Sequence, residues 1–286
     1  MREKWKYGDT PMEIVNMYKY LGIYFSTRLS FPHVSQRAKK GVICSFKLLW
    51  FSGERSLSIF FKLFDTQIQS MLNYGSLLDA DHTPTERVHL FALKKFLHTS
   101  LCTPNIMVYG EKGRYPLFGS IYVKCIKFWL RILKMPPCRL PFKGYKTLLH
   151  LHERSKRTWA SSVCYVLYKY GFGDVWVNQG VGDEKAFLKE FKERVLSLYR
   201  QEWDNNIRTK ECFTFYSTFK SSLSLAPYLN EPKHIKLRNF LIRLRLGVSN
   251  YAIVKMLHLL TIFALFVKVT WKMKSTSFSS VRNMQK

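Results

Sequence analysis

The chain of 286 residues has a formal net charge of +27, since 46 lysines and arginines stand against 19 acidic residues. Hydrophobic residues make up 47% of it and aromatic residues 16%, so the chain can bury a core and is not globally disordered. A charge excess of this size indicates a polyanionic partner, either nucleic acid or an anionic membrane surface, rather than a merely basic protein.

The N-terminal residues predict a small antiparallel sheet. Over residues 5–26, aromatic and β-branched side chains alternate around the turn dipeptide Gly8-Asp9. We therefore expect a β-hairpin sheet within residues 1–30.

From Pro32 the apolar spacing changes to the period of a helix. One helical stripe is apolar and consists of Ala38, Val42, Phe46 and Leu49. The opposite face is basic and carries Arg37, Lys40 and Lys47. Further amphipathic helices are predicted from Ser56 to about Leu78 and from Thr85 onward. These helices define a bundle over residues 31–103.

A second helical region is predicted over residues 104–250. Prolines punctuate it, with helices expected around 117–135 and 142–152 and another that carries Trp159 and Tyr170. A glycine-rich connector then precedes Asp183, which is a predicted N-cap for a long helix through Trp203. The fold class is therefore mainly α.

The C-terminal tail, residues 251–286, has a different composition. Its charged residues are all basic, and it contains a strongly apolar run from Met256 to Val267. This run is shorter than the roughly 20 residues needed to cross a bilayer. A buried or frayed helix in a poorly packed tail is the favoured interpretation, and binding to a membrane surface is the alternative.

The cysteines and the N-terminus indicate the compartment. No C-x-x-C pair occurs, and the chain is too long for a disulfide-stapled miniature fold. Residues 1–6 are polar and charged and lack the apolar core of a signal peptide. We expect reduced thiols in a nuclear or cytoplasmic protein that is not secreted. Because the strand pattern begins almost at once, this terminus is expected to be the interior of a longer chain.

Motifs for catalysis are missing from the sequence. Polymerases and nucleases hold divalent metals on clustered carboxylates, and the close acidic pair Asp79 and Asp81, beside His82, is better explained as a turn before a helix. The motifs H-E-x-x-H, G-x-x-x-x-G-K-[ST] and G-x-S-x-G do not occur. We expect no catalytic residue, metal site, cofactor or small-molecule substrate.

Basic residues beside aromatic ones predict contacts with phosphates and bases. Besides the helix after Pro32, these patches comprise Lys94, Lys95, Lys124, Lys127, Arg131 and the run from Arg154 to Arg157. For any single lysine, a solvated helix face is the alternative.

Residues 18–30, which include Lys19-Tyr20-Leu21-Gly22-Ile23-Tyr24-Phe25, resemble the KYLG-x-x-F strand of non-LTR (LINE-type) retrotransposon reverse transcriptases. In that family the strand follows the palm and leads into the thumb. Residues 64–76 are similar to the second thumb helix, and residues 108–117 and 176–183 resemble the segments behind the thumb. The resemblance extends from about residue 5 to 250.

This resemblance implies a post-palm fragment with a primer-grip hairpin, a thumb and a following helical region. The palm's [FY]xDD aspartate pair occurs nowhere in the sequence, so the fragment is expected to be catalytically incompetent. The Cys/His zinc knuckle of many members is not expected either, since no cysteine follows Cys212.

The family's thumb closes over the template–primer hybrid through backbone contacts, which points to Tyr20, Leu21 and Gly22 at the hairpin. The helical-face argument adds Arg37, Lys40 and Lys47, and the basic patches beside aromatic residues add Lys94 and Lys95. The expected partner is RNA or RNA–DNA hybrid. A structural or membrane-surface interaction protein and an unselected retroelement relic remain as alternatives.

Overall fold

A computed structural model describes residues 6–20, 23–26, 32–53, 56–73, 83–230 and 235–246. Helices dominate these residues, which confirms the mainly α prediction. The strands are β1 (Lys6–Tyr7), β2 (Thr10–Pro11), β3 (Met17–Tyr20) and β4 (Ile23–Ser26). The helices are α1 (Pro32–Phe51), α2 (Leu57–Leu63), a π-helical turn (Phe64–Ile68), α3 (Gln69–Asn73), α4 (Thr83–Phe96), α5 (Asn105–Lys112), α6 (Leu117–Leu133), α7 (Leu140–Glu153), α8 (Trp159–Lys169), α9 (Gly173–Val177), α10 (Glu184–Thr209), α11 (Thr214–Ser217) and α12 (Ile235–Arg245), with 3-10 turns at Glu211–Phe213 and Pro227–Asn230.

The N-terminal strands form two short antiparallel hairpins, β1 with β2 and β3 with β4. Within the described residues the two hairpins do not pair with each other, so the predicted sheet exists as separate two-stranded pairs. In the second hairpin Tyr20 is opposite Ile23, and its strand β4 contacts α1. The side chains described between residues 6 and 20 are all exposed.

The predicted apolar stripes form the first hydrophobic core. Ala38 and Val42 of α1 are fully buried. The helical segment from α2 through α3 buries one side chain at each turn, namely Phe60, Phe64, Ile68 and Leu72. These two stripes pack with α4, α5 and α12, as their spacing of three and four residues predicts.

A second core lies among the later helices. Trp129 of α6 and Trp176 of α9 stack with their ring centroids 5.8 Å apart. The indole N–H of Trp129 donates to the hydroxyl of Tyr145 at 3.0 Å. Part of the glycine-rich connector is thus a short helix, α9, which inserts an indole into this core. Asp183 caps α10 as predicted, since its Oδ1 accepts from the N–H of Lys185 at 2.8 Å.

Helices α6 and α10 belong to both cores. The first core takes Ile121 of α6 and Trp203 of α10, and the second core takes Trp129 and Phe191 of the same two helices. The first core therefore contains residues from both sides of the boundary predicted at residue 103. The division between the two cores falls within α6 and α10.

A buried ion pair fastens α5 to the C-terminal elements. Glu111 has no exposed surface, and its carboxylate accepts from Arg245 Nε of α12 at 3.0 Å and from the hydroxyl of Tyr228 at 2.5 Å. The next residue, Lys112, is also buried, with its ammonium 3.6 Å from the ring centroid of Phe96. Gly113 then ends α5 with φ +59°.

A second carboxylate, that of Glu86 in α4, joins three helices. Its Oε2 accepts from the N–H of Leu117 at the start of α6 at 2.8 Å. Its Oε1 lies 2.9 Å from His89 Nδ1 and accepts from the hydroxyl of Tyr109 in α5. Burial raises the pKa of Glu86, but hydrogen bonds and the charge of His89 outweigh burial, so the pKa lies below its usual value.

Because this pKa is lower in the folded chain, ionised Glu86 stabilises the fold above the unfolded pKa of about 4.5. That stabilisation is lost as the pH falls through the folded pKa. We expect Glu86→Gln to lower the free energy of unfolding at neutral pH and to reduce its further loss between about pH 5 and 3. Urea denaturation across this range measures both effects. Glu190→Gln, at an exposed position of α10, is the control, and an unchanged pH dependence in Glu86→Gln would contradict the prediction.

Candidate nucleic-acid interface

The basic face of α1 is the first candidate surface. Arg37, Lys40 and Lys47 are all exposed, and they lie opposite the buried Ala38 and Val42. The three charges extend over ten residues of helix, or about 15 Å. The sequence of α1 contains no acidic residue. The basic face of α1 is therefore exposed, as predicted, and no acidic residue of the same helix neutralises it.

Large apolar side chains lie beside these charges. Toward the end of α1, Leu48, Trp50 and Phe51 are 63%, 64% and 86% exposed. Flat aromatic rings next to lysines are the combination on which nucleic-acid bases stack while phosphates are held nearby. The end of α1 thus offers base contacts in addition to charge.

The structure describes one of the three residues predicted at the hairpin. Tyr20 ends β3, and its side chain is 56% exposed. Leu21 and Gly22 lie outside the described residues. The contact of β4 with α1 places this hairpin beside the helix that carries the basic face.

The two lysines predicted on α4 have different surroundings. Lys95 is exposed. Lys94 is only 6% exposed, and its ammonium donates to the carbonyl of Leu101 at 2.7 Å. Burial lowers the pKa of Lys94. This ammonium closes the turn after α4 and is not available to phosphates, so the structure removes Lys94 from the surface. Adjacent side chains on a helix point about 100° apart, so one lysine of the pair can be buried while the other is exposed.

A second basic surface lies on α6. Its residues follow a helical spacing of three, four and three positions, and all of them are exposed: Lys124, Lys127, Arg131 and Lys134. Lys134 pairs with Glu184 of α10 at 2.5 Å. The other three have no ion pair within the described parts of the chain. The sequence predicts these three as a positive patch, and the same helical spacing extends to Lys134.

The sequence alone does not predict that Lys192 of α10 belongs to a basic surface. This lysine is exposed and, together with Lys124, lines a cleft of about 480 Å³ between α6 and α10. Whether Lys192 belongs to a basic surface depends on how α10 packs on α6, which lies 50 or more residues earlier in the sequence. The charge pattern of α10 alone, where lysines and glutamates are mixed, does not reveal it.

The described residues contain no group of three or more histidine, cysteine or acidic side chains placed to hold a metal ion. Asp79, Asp81 and His82 lie outside those residues, as does the apolar run at 256–267. Among the helices described, none combines the length and hydropathy that crossing a bilayer requires.

A comparison with protein-family models, curated proteins and solved structures finds no match to this chain.

Proposed function

We propose that the chain is a catalytically incompetent, post-palm fragment of a non-LTR retrotransposon reverse transcriptase that binds RNA or RNA–DNA hybrid. The family part of the proposal is supported by the resemblance of the hairpin, thumb and post-thumb segments. The binding part is supported mainly by one observation, the exposed basic face of α1 with no acidic residue on that helix. A nuclear or cytoplasmic location belongs to the same proposal.

The spacing of the charges suits a nucleic-acid backbone. One strand of a duplex advances about 3.4 Å per phosphate, so the roughly 15 Å between Arg37 and Lys47 corresponds to about four phosphates. Such contacts hold the backbone without selecting a sequence. Tyr20 and the aromatic residues at the end of α1 contact sugars or exposed bases beside it.

Charge reversal on α1 tests the proposal. We expect Arg37→Glu/Lys40→Glu/Lys47→Glu to weaken binding of a labelled RNA–DNA hybrid by at least tenfold. We also expect it to reduce the slope of log affinity against log salt by about 2 to 3, since each lost phosphate contact removes about 0.9. Fluorescence anisotropy between about 50 and 200 mM salt measures both quantities.

A matched control is present on α7, where Arg139, Lys143 and Lys146 form another exposed stripe of one arginine and two lysines. Reversing these three charges changes the net charge equally. An equal loss of affinity in both variants would show that binding is diffuse, which would contradict a site on α1. Binding to anionic vesicles without binding to the hybrid would favour the membrane-surface alternative.

A further inference from the structure

We propose that the cleft between α6 and α10 binds an unpaired nucleotide of a single nucleic-acid strand, with the base on its apolar floor and the phosphates on its basic rim. This site is separate from the face of α1 and receives a different form of nucleic acid. The inference does not depend on hybrid binding by α1.

The cleft lies where two antiparallel helices meet. At one end a Cβ on Gly119 of α6 would lie 3.3 Å from a methyl group of Val195 in α10. At the other end of the helix pair, where α6 ends and α10 begins, Lys134 and Glu184 form their ion pair. Glycine at position 119 lets the backbones approach closely, and the cleft opens beside this contact.

The floor of the cleft is apolar and large enough for one nucleotide. Leu117 and Val195 are buried in it, and Val123 and Leu196 are half-buried along its walls. Its volume of about 480 Å³ lies within the range of small-molecule sites. A surface that binds phosphates by charge alone would not need an apolar floor. A base that covers the floor removes apolar surface from water, and this favours binding.

The rim carries two lysines that form no ion pair with any residue that the structure describes. Lys124 and Lys192 line the cleft from its two helices. Partial burial lowers the pKa of Lys124, and no carboxylate among the described residues opposes that effect. Arg114 also reaches the cleft, but Asp65 holds its guanidinium at 2.5 Å. Among the described residues that line the cleft, the two lysines are therefore the cations without an ion pair.

The same charge continues along α6. Lys127 and Arg131 follow Lys124 on its exposed face, and the three residues extend over about 10 Å of helix. A strand with one base in the cleft would pass its neighbouring phosphates over these residues. A free nucleotide would leave them unused, and this is why we favour a strand.

An aromatic ring at the edge of the cleft supports stacking. Tyr115 is half-buried there, and its hydroxyl accepts from Arg200 Nη2 at 2.6 Å. A tyrosine held in place by an arginine is a rigid platform for a base. Bases in a duplex are stacked on both faces and cannot enter the cleft, whereas an unpaired base can.

Two variants test the site by different mechanisms. Lys124→Glu/Lys192→Glu removes the rim charges, and we expect it to weaken binding of a labelled single-stranded oligouridylate about tenfold or more. Its salt slope should fall by about 1.4, or roughly 0.7 for each phosphate contact. Leu196→Trp fills the cleft without a change of charge, and we expect weaker binding with an unchanged salt slope.

The controls separate this site from the face of α1. Arg139→Glu/Lys143→Glu changes the charge equally, and we expect it to retain single-strand affinity. The α1 triple variant should also retain it, while both cleft variants should retain hybrid binding. Circular dichroism melting curves like those of the parent show that each variant is folded.

Three results would overturn the inference. The first is an unchanged single-strand affinity in Lys124→Glu/Lys192→Glu. The second is an unchanged affinity in Leu196→Trp, which would mean that no base enters the cleft. The third is competition by uridine monophosphate as strong as that by the oligonucleotide, which would assign the cleft to a free nucleotide.

Discussion

Glu111→Ala is expected to lower the free energy of unfolding by about 3–5 kcal/mol. Removal of this fully buried carboxylate leaves the guanidinium of Arg245 without its ionic partner and the hydroxyl of Tyr228 without its acceptor. An unpaired charge in a core costs more than the pair itself contributes, because the remaining ion has lost its hydration. Urea denaturation monitored by circular dichroism measures the change.

Two further variants make this result specific. Glu111→Gln retains an acceptor oxygen and should lie between the parent and the alanine variant. Glu190→Ala, at an exposed position of α10, should change the free energy of unfolding by less than about 0.5 kcal/mol. A loss below about 1 kcal/mol in Glu111→Ala would show that the ion pair does not hold α5 against α12.

Gly113→Ala is the second substitution with a large expected effect. A Cβ at this position would lie 2.3 Å from the backbone nitrogen of Leu225 and 2.4 Å from the carbonyl carbon of Ser224. Backbone atoms cannot rotate away as a side chain can, so the loop must move. The φ of +59° adds strain for any residue with a Cβ. We expect a total loss of about 2–5 kcal/mol in the free energy of unfolding.

Gly171 provides the matched control for this substitution. It also has a positive φ, +83°, but a Cβ there meets nothing within 4 Å. Gly171→Ala should therefore show the backbone strain alone, roughly 1–2 kcal/mol. Thermal or urea unfolding of the two variants under identical conditions separates strain from steric contact. Equal losses in the two variants would contradict the contact at Gly113.

The helices of the first core were predictable because their signal is local. The spacing of Phe60, Phe64, Ile68 and Leu72 is complete within one segment, and so is that of Arg37, Lys40 and Lys47 on α1. Helical periodicity alone decides which of these residues share a face. The same applies to the cap at Asp183, which depends on residues two and three positions away.

The rest depends on contacts between distant parts of the chain. Lys94 and Lys95 are indistinguishable in sequence, and only the packing of α4 decides that the first is buried. The ion pair of Glu111 and Arg245 joins residues 134 positions apart. The cleft beside Lys192 requires the packing of α6 on α10. No pattern within a short segment could reveal these features.

The sharing of α6 and α10 between two cores has a consequence for synthesis on the ribosome. The indole of Trp203 donates to the carbonyl of Ile106, 97 residues earlier in the chain. At about 5–20 residues per second, synthesis of the chain from Ile106 of α5 to Trp203 takes on the order of 5–20 s. During that interval the apolar stripes of α1 to α5 have no complete core to cover them. We expect the nascent chain to need chaperone protection until α10, and after it α12, has emerged.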